Sequence, residues 1–177
     1  MRNGALVVGL RIENRGLGVA VQSVSLAYQV RIEPARRRYN AEQKAALVDL
    51  FGTPERWGST LRPLPWATAR TVVPGFVSVT TAEVDATPAF ALNVAAENYV
   101  RGLSEGIIPL TFLFSGTVFY MANDVLQAAP IPWDREAHCE LPVEFARAAL
   151  PSGPSVTSEI LAELRSKLKS AAARKAL

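Results

Sequence analysis

Leu6, Val8, Leu10 and Ile12 alternate with less apolar neighbours. After the turn-rich Asn14 to Gly18 the alternation resumes over Val24, Leu26, Tyr28, Val30 and Ile32. A period of two marks β-strands, and the turn between these two predicts that they pair antiparallel with each other. In the second, Ser23, Ser25, Gln29 and Arg31 fall on the opposite face, as a sheet with one wet side requires. Val72 to Val84 returns to strand character. Phe90, Leu92 and Val94 alternate again after the Asp85 to Pro88 turn, which predicts a second hairpin.

The pattern lengthens to a helical period after Asn40. Asn40 can cap a helix with Gln43 three positions on, and Ala45, Leu47, Val48, Leu50 and Phe51 supply its apolar stripe before Gly52 and Pro54 stop it. The proline-rich run from Trp57 to Trp66 reads as a loop over the core. Residues 95–103 predict a short helix, with a continued strand as the alternative. Pro142 suits the first position of another helix ending near Leu150, since its missing N–H has no intrahelical partner there.

Gly106 opens the longest strand. Leu110, Phe112, Phe114, Val118 and Tyr120 share one face, and Leu113, Phe119 and Met121 the other, so burial on both faces is expected. Asn123 and Asp124 turn the chain, and Val125 to Ile131 pairs back, Pro130 favouring an edge. Pro151 to Pro154 reads as a linker. Beyond it Ile160, Leu161, Leu164 and Leu168 form the stripe of an amphipathic helix.

Charge sharpens that division. Residues 1–156 balance 14 Lys/Arg against 14 Asp/Glu, whereas residues 157–177 hold five basic residues and two acidic ones, so the net +3 lies on the tail. A neutral body argues against a nucleic-acid-binding fold. The apolar runs, such as Ala5 to Leu10, fall far short of the ~20 residues that cross a bilayer. Arg2, a six-residue apolar patch and Arg11 do not make a secretory signal, and the single cysteine, Cys139, forms no internal disulfide. A cytoplasmic location is expected, without membrane insertion.

Candidate chemistry is sparse. Asp134, Glu136, His138 and Glu140 would share one face of an extended segment, but side chains two apart on a strand stand about 7 Å apart and diverge with the twist, which suits a solvated edge better than a metal. Ser115, Asp134 and His138 follow the chain order of α/β-hydrolase triads. The serine, however, lies in a strand interior without the glycines of a nucleophile elbow. His138 and Cys139 are adjacent, and so point apart on a strand. Arg36, Arg37 and Arg38 could grip phosphate, but no Gly-rich loop accompanies them. Trp57, Trp66 and Trp133 sit in proline-containing loops, where they either meet a partner or cap the ends of the sheets.

Together Arg31 to Tyr39, Leu50 to Gly58, Thr60 to Pro63, Val73 to Phe76, Ile108 to Leu110, Leu113 to Phe119 and Ile131 to Asp134 resemble an uncharacterised actinobacterial family encoded near uptake nickel-iron hydrogenase genes. The likeness covers roughly residues 20–150. It implies an accessory role in hydrogenase assembly or organisation and carries over no catalytic residue. Against that family the chain is expected to begin late, one leading strand short, and to match poorly past Pro151.

These readings converge on a mainly β protein, an antiparallel β-sandwich of about seven strands with two or three peripheral helices. One antiparallel sheet covered by helices, an α+β fold, is the alternative. The domain spans residues 1–150, with a linker at 151–154 and a basic amphipathic helix at 155–177. The expected function is a non-catalytic protein-binding or scaffold module, self-associating and without cofactor. Its contacts would be Trp57, Trp66, Trp133, Ile160, Leu161, Leu164 and Leu168. The rival is a small metal-dependent or hydrolytic enzyme using residues 134–140.

Overall fold

A computed structural model describes residues 5–16, 19–88 and 93–150. The fold is mainly β, with 49% of the described residues in strands and 24% in helices, in two antiparallel sheets and a few short helices. In chain order come β1 (Val7–Glu13), β2 (Val21–Ile32), α1 (Ala41–Ala46), α2 (Val48–Phe51), α3 (Trp57–Thr60), β3 (Leu64–Phe76) and β4 (Val79–Asp85). They are followed by α4 (Val94–Arg101), β5 (Ile107–Ala122), β6 (Val125–Pro130), β7 (Glu136–Pro142) and α5 (Val143–Ala148). The larger sheet runs β3-β2-β5, after which β6 and β7 lie end to end along the same side of β5. The smaller sheet is β1 with β4.

Both strands expected at the start of the chain are present, but they are not partners. β1 pairs with β4, while β2 pairs with β3 and β5. Their alternations match because each lays an apolar row toward the space between the sheets, and a row of that kind specifies a face without specifying a neighbour. β2 buries Val24, Leu26, Tyr28, Val30 and Ile32 and turns Ser25, Gln29 and Arg31 to solvent. The strand expected from Val72 to Val84 is broken at 77–78, where the chain crosses from one sheet to the other. The second hairpin does not form as expected. β4 pairs with β1, Val94 begins α4, and Phe90 and Leu92 lie outside the described residues.

The helices close one end of the sandwich. Asn40 and Gln43 form the expected capping box, Asn40 Oδ1 accepting from the Gln43 amide at 2.8 Å. The stripe then divides at Leu47 into α1 and α2, and Gly52 ends α2 with a positive φ of 77°. Leu47, Phe51, Trp57, Tyr99, Val100, Leu103 and Ala146 share one buried hydrophobic cluster with Ile32, Ile108 and Leu110. The run from Trp57 to Trp66 is more ordered than a loop, holding α3 and the start of β3. A register shift in β3 places Ala67 opposite Val30 but Pro65 opposite Arg31, so Trp66 is the extra residue of a bulge; it is buried, and its indole N–H donates to the Ala86 carbonyl at 2.7 Å.

β5 is the central strand, as expected, but it is not buried on both faces. Ile108, Leu110 and Phe112 are covered, whereas Leu113 and Phe119 are half-exposed and Met121 is exposed. Two strands cannot cover all of a five-stranded sheet, and on the outer face of β5 Thr111 is buried beside Arg36 and His138 while its neighbours on that face stay partly or fully exposed. Asn123 and Asp124, both at positive φ, make the expected tight turn into β6. The linker at 151–154 and the helix at 155–177 lie outside the described residues.

Candidate functional site: a cleft beside the first strand

The mismatch between the sheets opens a cleft at the end of the sandwich away from the helices. Its floor is Val21, Val24 and Leu26 of β2 with Phe114 and Val118 of β5. One wall is β1 from Leu10 to Glu13 with Asn14 and Arg15 just beyond it, and the other is the stretch that joins β6 to β7, including Ile131, Pro132 and Arg135, with Glu136 and Ala137 at the start of β7. The cavity measures about 370 Å³. No residue of β4 lines it, because β4 lies on the other side of β1. The half-buried Leu10 and Ile12 therefore face an apolar space that the two-stranded sheet leaves unfilled.

Charges ring this apolar floor. Glu13 accepts hydrogen bonds from Arg11 and, at 3.5 Å, from Arg15, and these guanidinium groups, Arg11 first, hold its carboxyl below the usual range. Asn14 fixes the end of the strand. Its Nδ2 donates to the carbonyls of Val19 and Val77 at 2.7 and 2.8 Å, and its Oδ1 accepts from the Gly16 amide. Arg135 and Glu136 stand on the opposite rim.

Of the residues expected to meet a partner, Trp133 is 93% exposed, in the stretch that forms the second wall. Trp57 and Trp66 lie in the core, as the capping alternative expects. Both are buried, Trp57 donating to the Gly52 carbonyl at 2.8 Å and packing edge-on against Tyr39 and Phe51. The core end needs their bulk, and each N–H is satisfied internally. Ile160, Leu161, Leu164 and Leu168 lie outside the described residues. Sequence reasoning did not single out the cleft. Leu10, Ile12, Phe114 and Val118 read as ordinary core rows, and only the pairing of the strands shows that nothing covers them fully.

The chemical constellations resolve differently. Glu136, His138 and Glu140 do share the solvent face of β7, yet no group of three or more His, Cys, Asp or Glu among the described residues could hold a metal. His138 Nδ1 lies 3.1 Å from both Arg36 Nη1 and Thr111 Oγ1, and Nε2 lies 3.4 Å from Glu136. Neither Ser115 nor Asp134 is among these partners. Cys139 points the other way and is half-buried, and burial, with Glu140 nearby, pushes its thiol up. Arg37 ties loops together rather than offering an anion site. It donates to Gln43 Oε1 and the Glu105 carbonyl and lies over the Tyr39 ring at 5.1 Å.

The class defined by this geometry is an antiparallel two-sheet protein with an apolar cleft at one open end. The chain belongs to DUF6084, a family of unknown function whose model matches residues 3–153. No curated protein and no solved structure matches it.

Proposed function

We propose that this protein is a non-catalytic protein-binding module, and that the cleft beside β1 receives an apolar segment of a protein partner. The supporting observation is the half-buried Leu10, Ile12, Phe114 and Val118, which line an apolar cleft inside a charged rim. Apolar surface of this kind gains from removal of water, while the rim limits non-specific association. Trp133 adds an exposed aromatic of the type enriched at interfaces, in the stretch that forms one wall. The resemblance of residues 20–150 to a hydrogenase-linked family supplies the setting, an accessory in the assembly of a cytoplasmic nickel-iron hydrogenase system.

Affinity capture with the full chain from native cells tests this. Wild type should retain a stoichiometric protein that Ile12→Asp and Trp133→Ala both lose, Trp133→Ala while melting near the parent. Equal capture by parent and variants would overturn the reading. One zinc, iron or nickel per purified chain, lost in His138→Ala, would instead favour a metal-dependent enzyme acting through β7.

A further inference from the structure

We propose that the edge of β1 left unpaired among the described residues accepts an extended, acidic segment of the partner as a third strand of the smaller sheet, with its alternate apolar side chains filling the cleft. This rests on the protein-binding reading above and names its mode and chemistry.

The backbone sets the direction. Leu6 accepts from the Ala86 amide at 2.8 Å, and Asn14 donates to the Ser78 carbonyl at 2.8 Å. In an antiparallel ladder residues alternate in the edge they address, so Leu6, Val8, Leu10, Ile12 and Asn14 turn their N–H and C=O toward β4. Val7, Gly9, Arg11 and Glu13 turn theirs to the other edge, the side on which the cleft opens. A strand added there would sit about 4.8 Å from β1, over the part of the larger sheet, at Phe114 and Val118, that β1 and β4 leave half-covered. Its inward side chains would meet the half-buried Phe114 and Val118 on the floor, and Ile131 on the far wall. Main-chain bonding at a sheet edge with pockets for alternate side chains is an established mode of peptide recognition.

Charge selects the occupant. Arg11, Arg15 and Arg135 outnumber Glu13 and Glu136 on the rim by one, Glu13 alone is shared between Arg11 and Arg15 so that this group keeps a net positive charge, and the Arg15 side chain is 88% exposed. An acidic peptide is favoured. This chain's own residues 157–177, with five basic and two acidic side chains, carry the wrong sign.

The test uses the isotope-labelled full chain and a synthetic peptide alternating valine with glutamate. On binding, the amides of Val7, Gly9, Arg11 and Glu13 should gain about tenfold or more in exchange protection, while those of Val8, Leu10 and Ile12, already facing β4, change little. N-methylation at alternate peptide residues should weaken binding about tenfold or more, and lysine in place of glutamate should weaken it in a salt-sensitive way. Binding that leaves the four amides unchanged, or that tolerates N-methylation, would overturn strand addition. So would cleft amides that shift in a full chain carrying Leu161→Glu and Leu164→Glu without peptide, since the tail would then be the occupant. A dimer dispersed by Ile12→Asp would overturn it in favour of a second copy. If the peptide fails while Ile12-dependent capture from cells persists, strand addition falls and the binding-module reading stands. If that capture fails as well, both fall.

Discussion

A side chain on Gly116 would begin 2.0 Å from the carbonyl oxygen of Ser25 on the neighbouring strand. Gly116 also sits at a φ of 134°, a region closed to residues with a Cβ. It lies opposite Leu26 and between Phe114 and Val118, so this contact shapes the floor of the cleft as well as the sheet. Gly116→Ala should cost about 3 kcal/mol or more, combining backbone strain with a clash against main chain. Gly58→Ala, in α3 with open space around it, should be neutral or slightly stabilising. Urea denaturation of the two variants checks the contrast.

Phe112 and Phe114 stack with ring centroids 6.2 Å apart on one face of β5, yet their surroundings differ. Phe112 is 3% exposed in the main core, whereas Phe114 is partly exposed in the cleft. Phe112→Ala should cost about 3–5 kcal/mol and Phe114→Ala clearly less, since part of the second ring is already in water. Equal losses in denaturation would mean that the cleft is closed in solution.

Tyr39 donates its proton to the Pro34 carbonyl at 2.7 Å, so at 2.8 Å from Tyr99 it accepts the Tyr99 hydroxyl. Burial raises both phenols above their ordinary range. Below about pH 10 folded and unfolded chains hold these protons alike, and stability is insensitive to them. Above it the unfolded chain ionises first, so stability should fall with rising pH by about 1.4 kcal/mol per pH unit for each such tyrosine. Tyr99→Phe should show a shallower alkaline slope in urea midpoints. An unchanged slope would place the phenol in water.

Trp133 should account for nearly all tryptophan fluorescence open to acrylamide, because Trp57 and Trp66 are 7% and 2% exposed against 93% for Trp133. Trp133→Ala should remove the quenchable component and change stability by no more than about 0.5 kcal/mol. Quenching that survives the substitution would show one of the other two indoles exposed.

Strand faces were legible because alternation is local. The rows of β2 and β5, the cap at Asn40, the turn at Asn123 and Asp124 and the helix over 95–103 all follow from neighbours in sequence. Pairing was not legible, since β1 meets β4 some 70 residues later, and nothing in Leu6 to Ile12 distinguishes that partner from β2. The burial of two of the indoles was not legible for a related reason. Proline around Trp57 and Trp66 signals irregular backbone, but a bulge and a short helix can aim a side chain inward as well as a loop can aim it out. The cleft depends on how many strands each sheet gathers, a property of pairing alone.

The stretch between β6 and β7 is fastened at both ends to one strand, Ile131 donating to the Gly116 carbonyl at 2.9 Å and Phe114 donating to that of Arg135 at 3.0 Å. The five residues from Ile131 to Arg135 thus leave and rejoin β5 within three positions of its length. Closing so short a span has already removed most of its conformational freedom. A protein that covers Trp133 therefore meets an indole on a backbone with little entropy left to lose. The contact would draw on surface removed from water with only a small ordering cost to offset it.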